Sequence, residues 1–189
     1  MQRAHSASGR PASYPPLLRA LHWITVVFVV ALFVSGLVMT NRAQANIWDA
    51  TTNALYSAHK LAGFVLLWLI TVRLVVKLAS RAPAPPAIAP WQRFASTAAH
   101  VVLYVLLIVV PMLGWLGVSL FPALTIFGAF DLPALAGPDR ELSRQVFDVH
   151  KLLAMVLIAV VLLHAGGALM HLFVWRDGVF QRMWPSRRR

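Results

Sequence analysis

Apolar residues along the chain gather into four long runs, at roughly 20–40, 55–78, 96–120 and 146–174, with polar or proline-rich stretches between them. Each run reaches the ~20 residues that a helix needs to cross ~30 Å of hydrocarbon. A span in lipid must satisfy its own backbone donors and acceptors, so the pattern predicts an all-α integral membrane four-helix bundle. It divides the chain into a polar lead (1–19), the bundle (20–178) and a basic tail (179–189). The stretch "SRAPAPPAIAPWQR" ends the second helix, because proline removes donors and blocks continuation. In the third span Pro111 predicts a kink, and Gly114 and Gly117 predict close helix packing. The link 121–145 is the longest outer segment and is expected to lie over the outer surface as a short helix or lid.

Composition agrees with a membrane protein: 59% of residues are hydrophobic and 12% charged, outside the range of ordinary soluble domains. Cysteine is absent, which excludes disulfides, thiolate-bound metals, iron–sulfur clusters and covalently attached haem c. The net charge of +11 suggests nucleic acid until its distribution is considered. On the outer segments Arg42, Lys60, Arg140, Arg144 and Lys151 are balanced by Asp49, Asp131, Asp139, Glu141 and Asp148. The whole excess therefore lies on the other side, where Asp177 is the one acid. The positive-inside rule places both termini in the cytoplasm and makes "PSRRR" a topology and lipid anchor, not an RNA site. "RAQAN" has the A-x-A pattern of a signal peptidase site, but it follows a run longer than a signal h-region and a 19-residue polar lead, and is read as uncleaved.

Histidine carries the candidate chemistry. His22 lies near the inner end of the first span and His59 near the outer end of the second. His150 and His164 lie near the outer and inner ends of the fourth, fourteen residues apart. That spacing separates them by roughly 21 Å and leaves them about 40° short of four full turns, so they share a face. Depth then matches His22 with His164 and His59 with His150. Two opposed imidazoles suit the axial positions of a haem b iron, and two such pairs make a ladder across the bilayer. A membrane histidine also serves as a simple interhelical hydrogen bonder. The rival of a different class is a histidine-lined metal or proton transporter, but transport pathways usually add carboxylates, and none lies deep in these spans. With both axial positions filled, iron has no open site for oxygen chemistry, and electron transfer is the expected work.

Other residues surround this pattern. His100 and His171 fall at the inner level, His171 seven residues past His164 and about 10 Å nearer the cytoplasm on nearly the same face. With Arg19 and Arg73 they are candidate quinone contacts, histidine being suited to proton delivery near neutral pH; the equally weighted reading has them bonding haem propionates or helix ends. Lys60 and Lys151 directly follow the outer histidines. They are candidate propionate or anion contacts, or cations that simply reach for the membrane surface.

"LHW" at 21–23, "AHK" at 58–60, "AHVVLY" at 99–104 and "VHK…LLHAGGALMHLFVWRDG" at 149–178, followed by "RMWPSRRR", resemble the bacterial cytochrome b561 family. The likeness covers most of the chain apart from the lead and the link 121–145. It implies a four-helix inner-membrane protein with two haems b, ligated by His22 with His164 and by His59 with His150. It implies quinone as electron partner. One type of member oxidises superoxide at the outer surface and reduces ubiquinone, while related b subunits serve hydrogenases and formate dehydrogenases. The chain is thus read as a dihaem cytochrome of the bacterial inner membrane, passing electrons between an outer donor, small molecule or protein, and quinone. An oxidoreductase acting on superoxide is favoured over an anchor subunit for a periplasmic dehydrogenase or hydrogenase. Lipid is a partner, nucleic acid is not, and a homodimer stays open.

Alkaline phosphatase fused after Arg189 is expected to be inactive, and fused within 132–140 to be active, as the charge bias requires. The opposite pattern would reverse the orientation.

Overall fold

The computed structural model describes residues 13–81, 83–84 and 86–184; expectations for the first twelve residues and for the tail beyond Trp184 lie outside these. Four long helices form the body: α1 (Pro16–Gln44), α2 (Ala50–Ala79), α3 (Pro90–Leu120) and α4 (Arg140–Met170). A π-helical turn, His171–Trp175, prolongs α4. The two ends of the bundle are named inner and outer as the charge bias assigns them. Each helix starts earlier than its apolar run, because a helix of 29 to 31 residues spans about 45 Å and carries polar turns beyond the hydrocarbon.

The helix starts differ by side. At the inner end α1 and α3 open on Pro16 and Pro90, whose missing N–H is one that a first turn cannot use anyway. The Gln92 side chain accepts the Ala89 N–H at 2.8 Å. At the outer end α2 and α4 are capped by aspartate. Asp49 accepts from the Thr52 N–H at 2.8 Å, and Asp139 from Glu141 and Leu142 at 3.1 and 3.0 Å. The Thr52 N–H, with Arg42 beside it, holds the Asp49 carboxyl down at about 2.

Val29, Leu66, Ile70, Leu106, Leu107, Val110 and Leu157 make the buried core. It lies halfway along the bundle, since Leu157 is midway between His150 and His164. Outside it Val27, Val75, Leu162 and Leu163 are each at least 60% exposed, a surface that only lipid would cover at no cost. All four helices have the length and hydropathy to span a membrane. Neighbours in sequence pack together, α1 on α2, α2 on α3 and α3 on α4, whereas α4 comes close to α1 and α2 at no more than isolated points. Helices α3 and α4 approach closely at Gly117, where an added Cβ would meet the Phe147 ring at 2.5 Å. There Ser143 also donates to the Gly117 carbonyl at 3.1 Å. Helix α3 continues through Pro111.

The outer link forms a lid, built as a β-hairpin and not a helix. Strands β1 (Thr125–Ile126) and β2 (Phe130–Asp131) pair antiparallel. Phe127 and Gly128 both take positive φ, 51° and 69°, the sense of turn that follows the twist of paired strands. Ile126 is fully buried beneath it. Ser57, Lys60, Trp115 and Ser119 then bond the lid's backbone from the helix ends. At the inner end the Tyr14 N–H donates to the Arg182 carbonyl, and Trp23 Nε1 to Met183 at 3.0 Å. The Arg182 side chain, 7% exposed, donates to the Ala84 carbonyl, so both terminal segments and the α2–α3 link are tied together.

Candidate functional site: two layers of paired histidines

The structure brings the four depth-matched histidines together as two pairs. The ring centres of His59 and His150 are 6.3 Å apart, and those of His22 and His164 are 6.4 Å apart. A metal–imidazole bond of about 2 Å on each side, plus about 1 Å from nitrogen to ring centre, places opposed axial ligands roughly 6 Å apart. Both pairs have that spacing. They join α2 to α4 and α1 to α4, the helix pairs that stand off from one another. A flat macrocycle needs that separation.

Hydrogen bonds in the outer layer fix which nitrogen is offered. His150 Nδ1 lies 2.9 Å from the Val110 carbonyl, which can only accept, so the proton is on Nδ1 and the Nε2 lone pair is free. His59 Nδ1 lies 3.1 Å from Ser35 Oγ, and that hydroxyl gives its own proton to the Leu32 carbonyl at 3.1 Å. Ser35 therefore accepts from His59, with the same result. Two glycines admit the rings: a Cβ on Gly36 would stand 3.2 Å from the His59 ring, and one on Gly114 3.1 Å from His150. The cavity between them has apolar walls that include Leu32, Phe33, Gly63, Leu66, Pro111 and Ile158. Free Nε2 atoms, apolar walls and a glycine on the face suit a porphyrin.

The inner layer is more polar. Arg73 Nη2 lies 3.1 Å from His22 Nδ1. His100 stands beside His164, ring centres 5.1 Å apart, and its Nδ1 donates to the Ser96 carbonyl at 2.6 Å. Above Gly166 and Gly167 there is open space. Among the described residues no three His, Asp or Glu side chains converge as a metal ion would need.

Other candidate residues are placed as follows. His171 pairs with Asp177, Nδ1 to Oδ2 at 2.6 Å. The His171 N–H still bonds the Gly167 carbonyl in α-helical register, and the π-helical turn that starts at this residue changes the course of the chain after it. Arg19 donates to the Trp184 carbonyl at 2.9 Å, as part of the inner clasp. The Lys60 ammonium donates to the carbonyls of Ala123 and Thr125 at 2.8 and 2.6 Å, since the lid brings them within its reach, and lies in the field of Asp131. Lys151 is an exposed partner of Asp148 at 3.5 Å. Sequence reasoning missed Ser35, Gly36 and Val110. The signal for the first two was a small polar and a small apolar residue side by side at the depth of His59.

Four apolar helices holding imidazole pairs at two depths define a membrane cytochrome of the b type. The chain belongs to the prokaryotic cytochrome b561 family, whose profile matches residues 13–186. It is 28% identical to cytochrome b561 homolog 2 of Escherichia coli over 180 residues, 94% of each chain. It is 28% identical to homolog 1 of the same bacterium over 89% of this chain and 94% of the relative. A probable superoxide oxidase CybB of Yersinia pestis is 26% identical over 93% of this chain and 97% of that one. Membership makes the chain a multi-pass protein of the bacterial inner membrane that transfers electrons through haem b.

Gly114→Ala is expected to push the His150 imidazole out of line and cost about 1–3 kcal/mol by overpacking. The check is the reduced-minus-oxidised spectrum together with thermal unfolding in detergent. An unchanged spectrum and melting point would show that the ring has room.

Proposed function

We propose that the chain holds two haems b, one in each histidine layer, and passes electrons from an outer donor to quinone at the inner end. The observation that carries this is the spacing of just over 6 Å within each imidazole pair. Haem b, when bound, supplies a one-electron carrier. The protein's part is to fill both axial positions, to orient each imidazole through its Nδ1, and to keep water out with the core around Ile70. The core, lying between the layers, gives them separate surroundings, so the two haems would differ in potential.

For the donor we favour superoxide, on the strength of the name borne by the Yersinia relative; the chain would then be an oxidoreductase in its own right. One feature favours a docked protein donor instead. The outer cations are largely spent on local partners, Arg42 on Asp49, Arg144 on Glu141 and Lys60 on the lid, which leaves little field to steer a small anion. At the inner end the His171–Asp177 pair has the form of a proton relay, a carboxylate orienting an imidazole, and suits quinone reduction, which takes up protons.

Removing either histidine of a pair should cost the same haem. His22→Ala and His164→Ala are expected to lose one component of the α-band, and His59→Ala and His150→Ala the other, with about two haems per chain in the parent by pyridine haemochrome. If His22→Ala and His59→Ala lost the same component, the pairing would be wrong. His171→Ala is expected to keep both components and to slow reoxidation of the reduced protein by added quinone roughly 10²-fold. Unaltered reoxidation would place the quinone elsewhere.

A further inference from the structure

The inner end holds a group of cations for which the chain supplies no anion. Arg73 and Lys77, one turn apart on α2, both lie over the ring of Tyr104 on α3, 5.5 and 4.5 Å from its centre. Arg73 Nε is buried without a hydrogen-bond partner. The sequence has six Asp and Glu in all. Five are on outer segments, and the sixth, Asp177, is taken by His171. A cation partly buried without a counter-charge, as Arg73 is, is costly, and an arriving anion would relieve that cost.

The contact between Arg73 and His22 bears on which anion that is. Guanidinium has donors only, so His22 Nδ1 must accept from it. A neutral imidazole in that state carries its proton on Nε2, the one nitrogen left for iron. Once Nε2 binds iron the proton belongs on Nδ1, where it would confront Arg73 donor to donor. Arg73 and iron thus cannot both hold His22 in this arrangement. When iron takes the histidine, Arg73 has to turn to another acceptor nearby.

We propose that Arg73 and Lys77, carried on Tyr104, form the dock for the two propionates of the inner haem, and that Arg73 exchanges His22 for a propionate as that haem enters. This rests on the dihaem reading above. The two cations match the two carboxylates of the porphyrin edge in number, and the guanidinium fork matches one of them in shape. Arg73 is then a positioning residue that releases His22 only when its replacement partner is present. In the haem-free chain it keeps the inner imidazole from offering iron its lone pair.

The test uses haem-free protein purified in detergent from haem-starved cells. The His59→Ala/His150→Ala background leaves the inner layer alone. It is titrated with haem b and with haem b dimethyl ester, whose carboxylates are capped, and binding is read from the Soret and α-bands. The inner site is expected to prefer the free acid by about tenfold or more, the scale of one charge-assisted hydrogen bond. Arg73→Gln and Lys77→Gln should each lose most of that preference. In Lys77→Gln the acid alone weakens and ester affinity stays at the parent value, which also shows that the site still forms. In Arg73→Gln the ester should bind at least as tightly as in the parent, because His22 is released, and Arg73→Lys should restore part of the preference. Full preference retained in Arg73→Gln, or equal weakening of both ligands, would overturn the dock. If neither ligand binds the inner layer of the background, while the parent chain binds haem, the dihaem reading falls first and the dock with it.

Discussion

An imidazole in hydrocarbon has two nitrogens to satisfy, and every feature of the site follows from how that is done. One nitrogen is settled by the protein. The Val110 carbonyl and the Ser35 hydroxyl each accept a hydrogen bond from an outer histidine, which leaves the second nitrogen with an electron-rich lone pair. Unmet, such a lone pair is a liability in an apolar cavity. In the dihaem reading proposed above, iron meets it.

Helix packing is subordinate to this requirement. Consecutive helices lie against one another, while α4 stands off from α1 and α2. In the outer layer, the helices lie against the histidine rings at glycines, Gly36 and Gly114. The bulky aliphatic residues are held in the middle, where Ile70 and Leu66 fill the bundle between the two layers. Close packing and open slots alternate along one axis, which suits two cofactors kept apart and would not suit a continuous channel.

Much of this was legible in the chain itself. Four runs of about twenty apolar residues leave few alternatives to four spanning helices. The rise of an α-helix alone aligns His22 with His164 and His59 with His150 in depth, and the structure brings those residues together in pairs. What was not legible depends on contacts far apart in sequence. Nothing local to Lys60 shows that its ammonium is taken by carbonyls more than sixty residues away. The lid turned out a hairpin because Phe127 and Gly128 adopt positive φ, and its strands, two residues each, are too short to show an alternating pattern. The role of Val110 was hidden because a backbone carbonyl has no residue type to betray it.

Because α4 contributes one imidazole to each layer, neither site exists until the final helix has been made. A nascent chain that has inserted α1, α2 and α3 carries His22 and His59 as half-sites, each lacking the ring opposite it. The strap that ties Met183 and Trp184 to Trp23 and Arg19 closes later still. Assembly is therefore ordered by translation: a chain cut short before α4 is left without either imidazole pair.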